Sequence, residues 1–85
     1  MPHIHKYNVA RRPEEAGLGL HTIPGIARTI GVDTAGDLVV WYEEHPADKH
    51  DFVVAFTGED LDPRYQVVDT TVWSGLVWHL AVPRG

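Results

Sequence analysis

Leu76-Val77-Trp78-His79-Leu80-Ala81-Val82, followed at once by Pro83, decides how this chain folds. Seven residues this apolar cannot be left in water, so they must pair into a sheet and seal a core. Immediately upstream, Tyr65 to Trp73 reads as a strand of its own, and Ser74-Gly75 between the two is a two-residue hairpin loop. That loop length sets Trp73 against Leu76, Thr71 against Trp78 and Thr70 against His79. The same register puts Asp69 opposite Leu80 on the Trp78 face, an awkward place for a carboxylate. Either a bulge intervenes there or the strand leaves the core.

Outward from this hairpin, period-2 segments and turn signals dominate, and no long stretch keeps a 3.6-residue apolar period. His3 to Val9 is the first expected strand. Arg11 to Gly19 is a polar loop in which Pro13-Glu14-Glu15 starts a single helical turn. Leu20 to Ile23 is a short strand ended by Pro24-Gly25. A second hairpin follows, with Ile26, Arg28, Ile30 and Val32 on one face and Leu38, Val40 and Tyr42 returning. Asp33 to Asp37 turns between them, closed by Gly36 in the left-handed conformation. This register pairs Val32 with Leu38, Ile30 with Val40 and Arg28 with Tyr42. After the His45–Lys49 loop, Phe52 to Phe56 is expected to be a central strand, and Thr57 to Pro63 is the second long loop. The expected fold is all-β over residues 1–85, a small single-domain sandwich or partly closed barrel. It should have about six or seven mostly antiparallel strands and little or no helix.

The chain has 85 residues, room for one domain with a thin core, and no cysteine to supplement it. Stability must come from the three Trp, three Tyr and two Phe, or from oligomerisation. Open sheet edges favour a homo-oligomer through edge pairing. The start carries no secretory signal pattern and nothing approaches a membrane span, so no membrane partner and a cytoplasmic location are expected. Net charge is −5, with Glu43, Glu44, Asp48, Asp51, Glu59, Asp60 and Asp62 set against Lys49 alone. That pattern argues against a phosphate-binding face, hence against nucleic acid. It suits a solvated acidic rim, or a surface that mimics nucleic acid or docks a basic partner.

Reactive chemistry is sparse. His3 and His5 point the same way on a strand, as a divalent metal would need, but no spacing selects a third ligand. Two solvent-facing histidines is the simpler reading, and no metal or other cofactor is expected. His79 lies in the apolar terminal strand and is expected to be buried, neutral and bonded to Thr70. There is no nucleophile elbow, phosphate loop or dinucleotide fingerprint, and Ser74, the only serine, sits in a tight turn. Glu43 and Glu44 are adjacent on a strand, so they face opposite ways and cannot work as a paired acid and base. The aromatic residues Trp41, Trp73, Trp78, Tyr7, Tyr42 and Tyr65 either form the core or line a pocket on which a base stacks. Trp41, Tyr42, Glu43, Glu44 and Trp73 are the candidate binding residues.

Several short motifs recur in order: Lys6-Tyr7, Ile23-Pro24-Gly25, Ile30-Gly31-Val32, Gly36-Asp37-Leu38 leading to Trp41, and Pro46. Thr57-Gly58 with Leu61, Pro63 and Tyr65, then Gly75-Leu76-Val77-Trp78-His79-Leu80, complete the series. In these the chain resembles a family of small uncharacterised proteins of tailed bacteriophages, grouped as a domain of unknown function. Phe56, Asp62 and the Arg11–Gly19 insert depart from that family's pattern. The resemblance implies phage origin, action in the host cytoplasm and compact β architecture; it brings no catalytic residue with it. The expected function is a non-catalytic accessory protein that binds a host or phage macromolecule, most simply a protein. The alternative is a small-ligand, nucleotide-type binder with an aromatic-lined pocket, and below it a metal-dependent enzyme built on His3 and His5.

Overall fold

A computed structural model describes residues 3–16 and 19–85. Met1 and Pro2 at the start, and Gly17 and Leu18 of the first loop, lie outside them. The described strands are β1 (Ile4–Ala10), β2 (Leu20–Ile23), β3 (Gly25–Val32), β4 (Leu38–Glu44), β5 (His50–Phe56), β6 (Tyr65–Trp73) and β7 (Leu76–Pro83). Pro13–Glu15 forms one 3₁₀ turn. Two antiparallel sheets result, one ordered β1-β4-β3 and the other β2-β5-β7-β6. They pack face to face as a sandwich that does not close into a barrel. Phe52–Phe56 is central, between β2 and β7.

The terminal hairpin has the register its loop length dictates, from Trp73 against Leu76 to Thr70 against His79. Ser74 and Gly75 have φ of 52° and 76°. Positive φ at both central residues matches the loop's twist to that of the strands. A bulge between Val67 and Asp69 leaves Val68 unpaired. Asp69 keeps the register set by the turn and points between the sheets, and the bulge reverses the alternation beyond it, so that Val67 faces outward opposite Ala81.

The second hairpin differs from expectation at one point. Val32 pairs with Leu38 and Ile30 with Val40, but Ala27, not Arg28, faces Tyr42. Arg28 is the extra residue of a bulge. Simple alternation would place its guanidinium in the core beside Ile30. The bulge expels it and turns Ala27 inward, where it is 7% exposed.

Between the sheets Phe52, Leu38, Val40, Val54, Leu80 and Trp78 are fully buried. Both core indoles are satisfied. Trp78 Nε1 donates to the Trp73 carbonyl at 2.9 Å, and Trp73 Nε1 donates to the Gly36 carbonyl at 2.8 Å. The latter ties β6 to the β3–β4 turn. Beside it the Ile30 amide, on the outer edge of β3, donates to Asp69 Oδ2 at 2.8 Å. On the opposite flank the Tyr7 hydroxyl of β1 lies 2.9 Å from His21 Nδ1 of β2. The His21 ring stacks on Phe52 with centroids 5.0 Å apart.

Burial holds the pKa of His21 below its usual 6.5. The ring is therefore neutral in the folded chain, and the Tyr7 hydroxyl donates to it. Below about pH 6.5 the unfolded chain takes up a proton that the folded chain resists, so stability is complete above that value and falls as pH drops through the folded pKa. Asp33, Glu43 and Asp62 are held below the ordinary carboxylate range by Lys6, Arg28 and Arg64, so they titrate beneath this window. The thermal midpoint should fall between about pH 7 and about pH 5, and His21→Phe should flatten that fall. An equal slope in the variant would assign the effect elsewhere.

Candidate functional site

Strand alternation divides the five candidate binding residues. Trp41 and Glu43 point outward from the three-stranded sheet, whereas Tyr42 packs against the core between the sheets and Glu44 bonds to His5. Trp73 is 7% exposed and belongs to the core. Only Trp41 and Glu43 therefore share a surface.

The histidines divide as well. The His3 and His5 rings lie 6.3 Å apart, and His5 pairs with Glu44 and tilts against Tyr42. Among the described residues no group of three or more His, Asp or Glu side chains is gathered to hold a metal ion. His79 is not in the core as the sequence suggested, because Trp78 and Leu80 take the inward positions of β7 and leave it facing out. It is half-buried and held at both ring nitrogens, with Thr70 Oγ1 2.9 Å from Nδ1 and Thr57 Oγ1 2.7 Å from Nε2.

Trp41 centres the best-organised polar surface. Its ring lies on Gly31 of the neighbouring strand; a Cβ there would stand 2.8 Å from Trp41 Cζ3, so only glycine lets the indole lie flat. Val39, on the same face, is fully buried beneath the side chains around it. Lys6 Nζ donates to Asp33 at 2.9 Å and Asn8 Nδ2 to Asp37 at 2.9 Å. Arg28 donates to one Glu43 oxygen through Nε at 3.1 Å and Nη2 at 2.7 Å, with His45 Nε2 3.6 Å from the other oxygen. The Asp33 carboxylate also accepts the Ala35 and Asp37 amides, both at 3.0 Å. These charges are positioned by neighbours on three strands and one turn. Glu43 was legible as a candidate, but Lys6, Arg28 and Gly31 were not, because they reach Trp41 and Glu43 only through strand pairings distant in sequence.

Two cavities of about 310 Å³ each are open to solvent. Leu20, Val53, Leu61, Asp60 and Tyr65 line one, together with Arg64, whose guanidinium is taken up by Asp62. Ile26, Ala27, Val82, Pro83, His50 and Asp51 line the other. Neither is lined by a tryptophan, and neither offers an uncommitted Lys or Arg to a phosphate. No described helix is long and apolar enough to cross a membrane.

The chain belongs to the family described as a domain of unknown function, DUF7352, which matches residues 1–84. No curated protein and no solved structure matches it.

The seating of Trp41 has a direct readout. Trp73 and Trp78 are buried, so Trp41 dominates quenching of fluorescence by acrylamide. Gly31→Ala should lift the indole and raise the quenching constant, while the cooperative melt persists. An unchanged constant would mean that the ring does not rest on Gly31.

Proposed function

We propose that this member of the family is a small non-catalytic accessory protein of a tailed phage. It acts in the host cytoplasm by docking a protein partner on the outer face of the β1-β4-β3 sheet. The observation that carries this reading is Trp41, part-exposed and laid flat on Gly31 within a frame of paired charges. Tryptophan and arginine are the side chains most enriched where binding energy concentrates, and an anchor already held in place loses little entropy when covered. Asp33, Asp37 and Glu43 share this face with Lys6 and Arg28, and both bases are spent on acids. Such a surface suits a protein with an apolar socket ringed by polar groups and does not suit a phosphate backbone. The phage assignment rests on the sequence resemblance.

The test is affinity capture on the immobilised full chain from phage-infected lysate, then titration of the identified partner in pure form. Trp41→Ala should weaken the complex by about 30-fold, the penalty of about 2 kcal/mol usual for a central anchor. Arg28→Glu should weaken it as well. A partner whose affinity survives both substitutions would show that docking occurs elsewhere.

A further inference from the structure

At the end of the sandwich where β3 begins and β7 finishes, the sheets leave a cleft of about 310 Å³ open to solvent. Its shape follows from the bulge at Arg28. That bulge turns Ala27 inward, so β3 offers the gap only a methyl group. Across from it stand Val82, on the same parity of β7 as Trp78 and Leu80, and His50, on the same parity of β5 as Phe52 and Val54. Ile26 and Pro83 complete the aliphatic walls. Water against such walls is released favourably when an apolar group replaces it. At about 30 Å³ for each water displaced, the space takes a group of about ten non-hydrogen atoms.

The charges at the mouth set the sign of the ligand. Among the described residues Asp51 is the one carboxylate side chain that lines the cleft, and no Lys or Arg does. Thr22 Oγ1 donates to Asp51 Oδ1 at 2.8 Å, which holds the carboxylate in place and leaves Oδ2 without a partner among the described residues. Positive charge is drawn away from the site. Arg84 lies between the lining residues Pro83 and Gly85, yet its Nε donates to the Pro63 carbonyl at 3.0 Å. Its amide donates to the Arg64 carbonyl at 2.8 Å. Arg28, next to Ala27, is committed to Glu43 on the outer face. We propose that this cleft binds an amphiphilic amine. The apolar body of the ligand fills the space between Ala27 and Val82, and its ammonium group donates to Asp51 at the mouth, beside the His50 ring. The site is separate from the Trp41 surface and does not depend on a protein partner docking there.

Hexylamine is the probe, titrated into the nitrogen-15-labelled full chain and followed by amide chemical shifts. The Ala27, Asp51 and Val82 amides should shift and saturate together. Affinity should rise about fourfold for each methylene added from propylamine to hexylamine. Hexanoate, of the same length and opposite charge, should bind more weakly than hexylamine. Asp51→Asn, which keeps an oxygen for Thr22, should weaken hexylamine about fivefold, as for a partly exposed ion pair. Ala27→Leu should fill the cleft and abolish saturation; if that variant does not fold, Val82→Phe is read in the same way. Leu61→Ala, in the other cavity, should leave binding unchanged. Shifts that fail to saturate or that centre on other residues would overturn the proposal. So would an affinity indifferent to chain length, to the sign of the headgroup or to the filling of the cleft.

Discussion

The hydrogen bond from the Ile30 amide to Asp69 is the contact on which the arrangement of this small sandwich depends. Ile30 lies on the outer edge of β3, where its N–H has no strand to pair with. Asp69 comes from the edge of the other sheet. A bond of this kind to a charged acceptor contributes about 1.5–3 kcal/mol, and leaving the amide without a partner costs a comparable amount. In a domain whose whole stability is of the order of 5–10 kcal/mol, that is a large share. Trp73, donating to the Gly36 carbonyl a few residues away, closes the same seam. The core indoles and the cross-sheet bond thus belong to one structure, which fixes how β3 and β6 lie against each other.

Two bulges flank this seam, and both act on parity. The extra residue at Val68 resets the alternation beyond Asp69, so that Val67 faces outward, and an extra residue at Arg28 turns a guanidinium outward to meet Glu43. Without the first, Asp69 would still oppose Leu80, but Val68 would stand opposite Ala81 and Val67 would turn inward. Without the second, Arg28 would be driven into the core. Asp69 holds the sheets together from its place in the hairpin register, and the displaced Arg28 frames Trp41.

These particulars explain what could be read from the sequence and what could not. The terminal hairpin was legible to the residue, because a two-residue loop between alternating strands admits one register. Even the conflict at Asp69 pointed to a bulge. The Arg28 bulge was invisible, since an arginine among isoleucines is compatible with either face until the partner strand is known. His79 was misread as core because an apolar run was taken to be buried on both sides. In fact β7 presents one apolar face to the core and another to solvent. Grouping Trp41, Tyr42, Glu43 and Glu44 as one site ignored the alternation that separates adjacent strand residues. The surface around Trp41 needed the β1–β4 and β3–β4 pairings before Lys6, Gly31 and Arg28 could join it.

The two outer faces divide the chemistry of the surface. One is polar, with its charges fixed in pairs around a single indole, and the other is apolar and free of charge at its centre. Both depend on the sheets keeping their mutual position, hence on the seam between β3 and β6. Hydrogen exchange at the Ile30 amide tests that dependence most directly. The account predicts that this edge-strand amide exchanges only as slowly as the core strands open, and that Asp69→Ala releases it. Exchange in the native chain as fast as that of an unpartnered edge amide would contradict it.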